Sequence, residues 1–541
     1  MRIGTMLSSL ERFPLVPQST FTKRLGAWRP REKGRTWVFV PYDQLSARIG
    51  PLRRLGPEEA GIVLVESHAK AGRRPYHKQK LALVLANLRH FALEQAARGV
   101  AVRHVSTEGT YAEVLEEQAR ELGPLQLMRP AERELRAELA PLVEAGDLEV
   151  VPHEGWLTTT EQFVASAGAE PPWRMDAFYR LVRKETGLLM EDGEPAGGAW
   201  SHDAANREPW RGEPPAPEPP RFRPDDVTKE VVALVEDAFA DHPGTVDASH
   251  LPATEANAKR LWRWAKRECM ESFGPYEDAM SERSRGLFHT RIAPLLNLHR
   301  LLPARVVREA ATLDAPIESR EGFVRQILGW REFVRHVHEA TDGFRELPGG
   351  TSPSHLDAHE PLPAAYWGEP SGLRCLDHVV EGVWAEGYSH HITRLMVLSN
   401  LATLLDVEPR ELTDWFWVAY TDAYDWVVEP NVLGMGTFAM GDLMTTKPYV
   451  SGAAYIHRMS DYCAECEFDP KKNCPVTALY WSFLDRHRDR LAGNPRLRMP
   501  YASLGKRTAA RRKSDRDTCA DVRKRLQQGR RLKPGGNPGT A

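Results

Sequence analysis

Seven prolines fall within sixteen residues, at Pro209, Pro214, Pro215, Pro217, Pro219, Pro220 and Pro224. Proline has no amide donor and a fixed φ, so neither a helix nor a central strand can cross that stretch. It reads as an extended connector that cuts the 541-residue chain into two unlike parts. Before it, short β-branched runs alternate with amphipathic stretches. Strands are predicted at Trp37–Val40, Ile62–Val65, Val100–Val105, Leu125–Met128 and Leu148–Val151, with helices over Lys78–Ala97 and Tyr111–Glu121. That alternation predicts a parallel sheet wrapped by helices. After the prolines, from Thr228 to Leu491, apolar residues recur at three and four spacings, as in Phe323, Ile327, Trp330 and Val334, which predicts an all-α domain. The expected organisation is a flexible extension (1–35), a Rossmann-like α/β domain (36–155), a connector (156–227), a helical domain (228–500) and a basic tail (501–541).

The chain carries 72 Lys and Arg against 74 Asp and Glu, and a net charge of -2 argues, on its face, against a nucleic-acid partner. The sum hides an asymmetry: residues 471–541 hold 19 basic and 5 acidic side chains, and residues 1–470 hold 53 and 69. The basic end, Lys506–Lys533, is expected to be a mobile, solvated tail that also suits phosphates. No apolar run approaches the ~18–20 residues of a membrane span, and Glu11 and Arg12 interrupt the first stretch before a signal sequence can form. The expectation is a cytoplasmic protein with no membrane partner.

Six cysteines are too few for a disulfide framework, yet their distribution is lopsided, with Cys375, Cys463, Cys466 and Cys474 in the C-terminal third and Cys269 and Cys519 standing alone. Cys463-Ala-Glu-Cys466, then seven residues, then Cys474-Pro475 puts three thiols on one loop, with Cys375 as a remote fourth. Such a set encloses either a tetrahedral zinc or an iron–sulfur cluster, and His457 or His378 could replace Cys375 in the zinc case. Cys269 and Cys519 read as free thiols. Three helical segments are rich in aromatic and polar residues where a plain core would be aliphatic. They are Arg325–Phe333, Gly387–Val397 with its pair His390-His391, and Trp415–Met435 leading to Lys447-Pro448-Tyr449.

In this order the motifs resemble the iron–sulfur bacterial branch of the photolyase/cryptochrome superfamily, the prokaryotic (6-4) photolyases and their cryptochrome-like relatives. The likeness runs from Val38 to Tyr501. It includes Asp43-Gln44-Leu45, His77-Lys78-Gln79-Lys80, Arg89-His90-Phe91, Thr186-Gly187-Leu188-Leu189-Met190, Gly197-Gly198-Ala199-Trp200-Ser201-His202-Asp203, the three helical segments and the cysteine loop. The resemblance implies FAD in the helical domain, a [4Fe-4S] cluster on Cys375, Cys463, Cys466 and Cys474, and a lumazine antenna in the α/β domain. It assigns Thr290, Gln326, Trp330, Arg331 and Asn431 to the flavin pocket, and Trp415, Trp367 and Tyr424 to electron transfer. It places His390, His391, Leu395, Met435 and Tyr449 beside the lesion, with Arg394 and Lys447 on phosphates. A monomeric, light-driven lyase acting on UV-damaged DNA follows, one that reverses (6-4) photoproducts. The alternatives are a cryptochrome-like photoreceptor with the same cofactors, or a flavin-free iron–sulfur protein that binds nucleic acid.

Four departures from the family pattern stand out. The loop between the last two cysteines is short, Ala293 replaces a phosphate-side serine, and Gly436–Asp442 differs from the usual polar stretch. Lys70 stands where an acidic antenna contact is often found.

Overall fold

The computed structural model describes residues 19–345 and 354–535. The first strands form one parallel sheet in the order β3-β2-β1-β4-β5, from β1 (Thr36–Phe39), β2 (Ala60–Ser67), β3 (Ala101–Thr107), β4 (Leu125–Met128) and β5 (Leu148–Val151). β1 pairs with β2 from Thr36 opposite Ala60 to Phe39 opposite Val63. β2 is buried along its whole length, as expected of a strand with neighbours on both sides and helices on both faces. Among the described residues, the regular elements after β5 are helices apart from the hairpin of Met190–Glu191 with Glu194–Pro195, so the α/β-plus-helical architecture is the one the periodicities predict.

The helix Lys78–Ala96 joins the two halves. Fifteen of its 19 residues are buried, many of them polar, because it packs on the sheet with one face and on the helical domain with the other. Each buried polar group therefore needs a partner. The Lys80 ammonium donates to the carbonyls of Trp417 (2.9 Å) and Ala423 (2.6 Å). Arg89 forks onto Glu66 at 2.7 and 2.8 Å. His77 caps the helix by accepting from the Gln79 amide at 3.0 Å, and its Nε2 lies 3.1 Å from the Trp384 carbonyl.

Three expected boundaries are corrected. The extension is not flexible throughout: Thr20–Gly26 is a helix with Phe21 buried in the α/β core, while residues 1–18 lie outside the described set. The connector is shorter than 156–227, because helices Thr160–Ala167 and Met175–Thr186 bury Phe163, Phe178 and Tyr179 in the helical domain's core. The basic end is not a mobile tail. Ala509–Gln527 is a helix that buries Cys519, Val522 and Leu526 and lies along the helix Pro475–Arg486; residues 536–541 lie outside the described set. Its arginines look inward: Arg523 pairs with Glu360 (3.0 Å) and Asp406 (2.6 Å), and Arg516 with Asp485 (2.7 Å). Alternation of charge with small residues hid an i, i+3, i+7 apolar stripe.

Burial lowers the His77 pKa to about 4, against ~6.5 for a free imidazole. The unfolded chain takes up this proton first as pH falls, so His77's contribution is intact above pH ~6.5 and is lost towards pH 4. Urea midpoints should therefore drop over that window, and His77→Asn, which keeps a capping acceptor without titrating, should drop less. An unchanged acid dependence in the variant would contradict this.

Candidate functional site

A cavity of about 1190 Å³ opens through the helical domain. Three segments that line it leave α-helical geometry for π-helical turns: Arg325–Arg331, Arg394–Ser399 and Pro430–Gly436. A π-turn shifts the register of side chains by one residue and turns polar groups towards the opening. These turns carry Gln326, Trp330, Arg331, Leu395, Asn431 and Met435, all of which line the cavity. Thr290, His390, His391, Lys447 and Tyr449 line it too. Residues from five separate stretches thus meet in one space.

One wall is set by paired charges. Gln326 donates to Glu277 at 2.6 Å, and Arg325 lies within 3.6 Å of Glu277, Glu321 and Asp203. Arg331 donates to Glu332 (3.0 Å) and Asn297 (3.3 Å) and stacks on Trp156. Its Nη2 is buried with no protein partner, and burial pushes its pKa down to about 10. Asn431 back-bonds to the Val427 carbonyl at 2.7 Å, which fixes its amide. Ten Arg and Lys line the cavity against five Asp and Glu, an excess that suits an anionic occupant. A large aromatic space walled by a buried guanidinium with one nitrogen left without a protein partner is one that a dinucleotide flavin fits.

The mouth holds three histidines rather than two. His289 stacks on His390 with ring centroids 4.5 Å apart, and meets His391 edge-on at 5.4 Å. Burial, followed by the other imidazole, drives the His390 pKa well down, and the same two causes act on His289. Both are neutral at neutral pH. His391 is the exposed member, with Nε2 3.7 Å from Asp278. Sequence reasoning missed His289 and Asp278; their signal was only their place in the stretch around Thr290. Lys447 sits with Arg496 and Arg207 on the rim; burial lowers its pKa, and those two cations lower it further. Arg394 is not available for phosphate, because Asp422 holds it at 3.0 and 3.1 Å over the Tyr420 ring.

The three aromatics expected in electron transfer do not line the cavity. Trp415 touches Phe416, which does line it, with ring centroids 5.1 Å apart. From Trp415 a line of rings runs outward through Trp384 (6.0 Å) to the exposed Trp367 (5.5 Å further). Trp384, overlooked in the sequence, is set beside Trp415 because both indole N–H groups donate to the Tyr366 carbonyl at 2.9 Å. Tyr424 lies apart from this line, stacked on Tyr42 at the domain seam.

The four cysteines line one small pocket with Leu373, Ala453, Ile456, Tyr462, Phe468 and Val476. Neither His378 nor His457 lines it, so the donor set is all thiol. Burial and then mutual repulsion push the Cys375 thiol up, and burial lifts Cys463 to about 11 and Cys474 to about 12. Four thiols in an apolar shell without a cation fit a metal cluster, whose charge would release the protons. The short loop closes on Asp469, whose carboxylate accepts from Lys471 and whose carbonyl accepts from the Cys474 amide.

The antenna position fits less well. Lys70 is buried and paired with Glu132 (2.6 Å) and Glu134 (3.6 Å). It offers a chromophore neither a carboxylate nor a free ammonium. The residues here do not fit the expected lumazine contact.

A family model described as deoxyribodipyrimidine photo-lyase-related protein matches residues 38–251. A (6-4) photolyase of Agrobacterium fabrum is 34% identical over 490 residues, spanning 86% of this chain and 94% of that protein. Two solved structures share the fold: a bacterial class III photolyase from Agrobacterium tumefaciens (TM-score 0.52, 15% identity) and the Synechocystis cryptochrome (TM-score 0.53, 13% identity). Each covers 92% of this chain, and this chain covers 99% and 100% of them. The two-domain fold is that of this class. The chain belongs to the bacterial branch of the photolyase/cryptochrome superfamily.

Asp422→Ala would leave Arg394 unpaired in a mostly enclosed site. A loss of about 3 kcal/mol in unfolding free energy is expected from urea titration, and a loss under 1 kcal/mol would show the pair to be dispensable.

Proposed function

We propose that this protein is a light-driven DNA photolyase that reverses (6-4) pyrimidine–pyrimidone photoproducts with reduced FAD. The observation that carries this reading is the single cavity joining the Arg331–Gln326 wall to the His390–His391 mouth. FAD, when bound, supplies the light-driven electron chemistry; Arg331, Gln326, Trp330, Asn431 and Thr290 would hold it. A [4Fe-4S] cluster on Cys375, Cys463, Cys466 and Cys474 belongs to the same reading. No lumazine step is derived.

The chain's own residues then divide the work. Lys447 and Arg496 hold backbone phosphates at the rim, positioning the strand without reading sequence. Extruding a lesion costs a few kcal/mol, less when the pair is already unstacked. Leu395, Met435 and Tyr449 wall the space that receives it. His391, half-exposed at the mouth with its Nε2 3.7 Å from Asp278, is the group placed to give a proton to the lesion. The neutral His390, stacked on His289, packs against it without competing for that proton. Trp415, Trp384 and Trp367 offer indoles from behind Phe416, which lines the cavity, to the surface.

The direct test is blue-light incubation of the reduced protein with a (6-4) oligonucleotide. Restored thymines are expected; none, together with a light-dependent transcriptional phenotype in a deletion strain, would favour a photoreceptor instead. His391→Ala should keep flavin and lose repair by about 10²-fold or more; retained repair would contradict the assigned role. Trp384→Phe should slow light-driven flavin reduction by external thiol, whereas Tyr424→Phe should not. Equal rates in wild type and the Trp384 variant would remove Trp384 from the path.

A further inference from the structure

Residues 530–532 do more than follow a helix. The strand-like segment after Ala509–Gln527 crosses the turn that launches the helix Arg374–Glu386, on which Cys375 is the second residue. The Leu532 amide donates to the Ser371 carbonyl at 2.8 Å, and the Leu532 side chain is 3% exposed within the core against which all four cluster cysteines pack. Gly372 has φ +84°, and a Cβ there would lie 2.3 Å from the Leu532 carbonyl oxygen, so the segment passes directly over that glycine. From the inside the same turn is held by Asp377, whose carboxylate accepts from the Ser371 and Gly372 amides at 2.9 and 3.0 Å. One residue earlier, Arg531 pairs with Glu467, which follows Cys466.

We infer that residues 530–532 form a strap that closes the thiol pocket from outside and holds Cys375 and the Cys463–Cys474 loop together around the cluster. The inference rests on the cluster assignment made above. The strap touches both ligand-bearing segments, the turn before Cys375 and the loop after Cys466. Leu532 supplies the anchor, because the exposed Arg531–Glu467 pair contributes little on its own. An opened strap would uncover the pocket through Leu373, a residue that lines it.

The test uses the full chain, purified without oxygen, with iron and acid-labile sulfide measured per flavin. The loss of cluster absorbance in air is then followed over time. Leu532→Asp and a chain ending at Gly529 should each keep flavin, the check on folding, and should lose the cluster about tenfold faster or more, as expected once burial of one leucine no longer holds the strap shut. Gly372→Ala should behave alike, since its Cβ displaces the strap without altering it. Arg531→Glu should have a small effect, relieved by Glu467→Lys in the same chain. Cluster loss at the wild-type rate in Leu532→Asp and in the shortened chain would overturn the strap. A full chain without iron would overturn the cluster assignment, and the strap with it, while leaving the flavin and repair readings to their own tests.

Discussion

The structure depends on a buried polar seam. The helix Lys78–Ala96 is enclosed by both domains, so its charged groups cannot reach water and must be neutralised by hydrogen bonds or ion pairs. Lys80 meets this by donating to the carbonyls of Trp417 and Ala423, which end one helix and precede the next. An ammonium without those carbonyls would be unsupportable there, and burial already drives its pKa far down. The seam therefore fixes the approach of the helix carrying Trp415 and the turn carrying Asp422 and Tyr424. Arg300 on Glu94 and Asn297 on the Asp422 carbonyl repeat the arrangement nearby. Because a shift of either domain would strand several of these groups at once, the geometry around the cavity is set by the joint rather than by any one helix.

Within that frame the cavity is built from irregular helix. Three π-helical turns supply most of the expected flavin-side and lesion-side residues, and each is buried in packing that a regular helix would satisfy more simply. The helices are held in this form by side chains bonded across them, such as Arg394 on Asp422 and Gln326 on Glu277. The same economy appears at the cysteines, where an apolar shell and a short capped loop keep four thiols together although each thiol repels its neighbours' ionised forms.

Much of this was legible in the residues. The strands appeared within one or two positions, since period-two and period-3.6 patterns are local. The cysteine spacing announced a shared site because three of its four members are close in sequence. The flavin-side and lesion-side residues were named through motifs, and the structure gathers them into one cavity. Other features were not legible. Trp384 carries no motif of its own, and only the packing, with the shared Tyr366 carbonyl, sets it between Trp415 and Trp367. Arg394 looked free to bind phosphate, and its partner lies 28 residues away. The basic end looked mobile because its charges outnumber its apolar residues, yet its arginines pair with acids on the body.

The sequence by itself determined the two-domain division, the sheet, the three clustered cysteines and the resemblance that points to flavin, because these rest on short-range spacing and residue type. Tertiary structure alone decided which charges are spent on the fold and which face the cavity, that a third histidine joins the pair, that Lys70 is consumed by Glu132, and that Leu532 bonds to the turn before Cys375. Each of those depends on a partner from a distant segment. Desolvation and pairing are properties of the packed chain, and no local pattern encodes them.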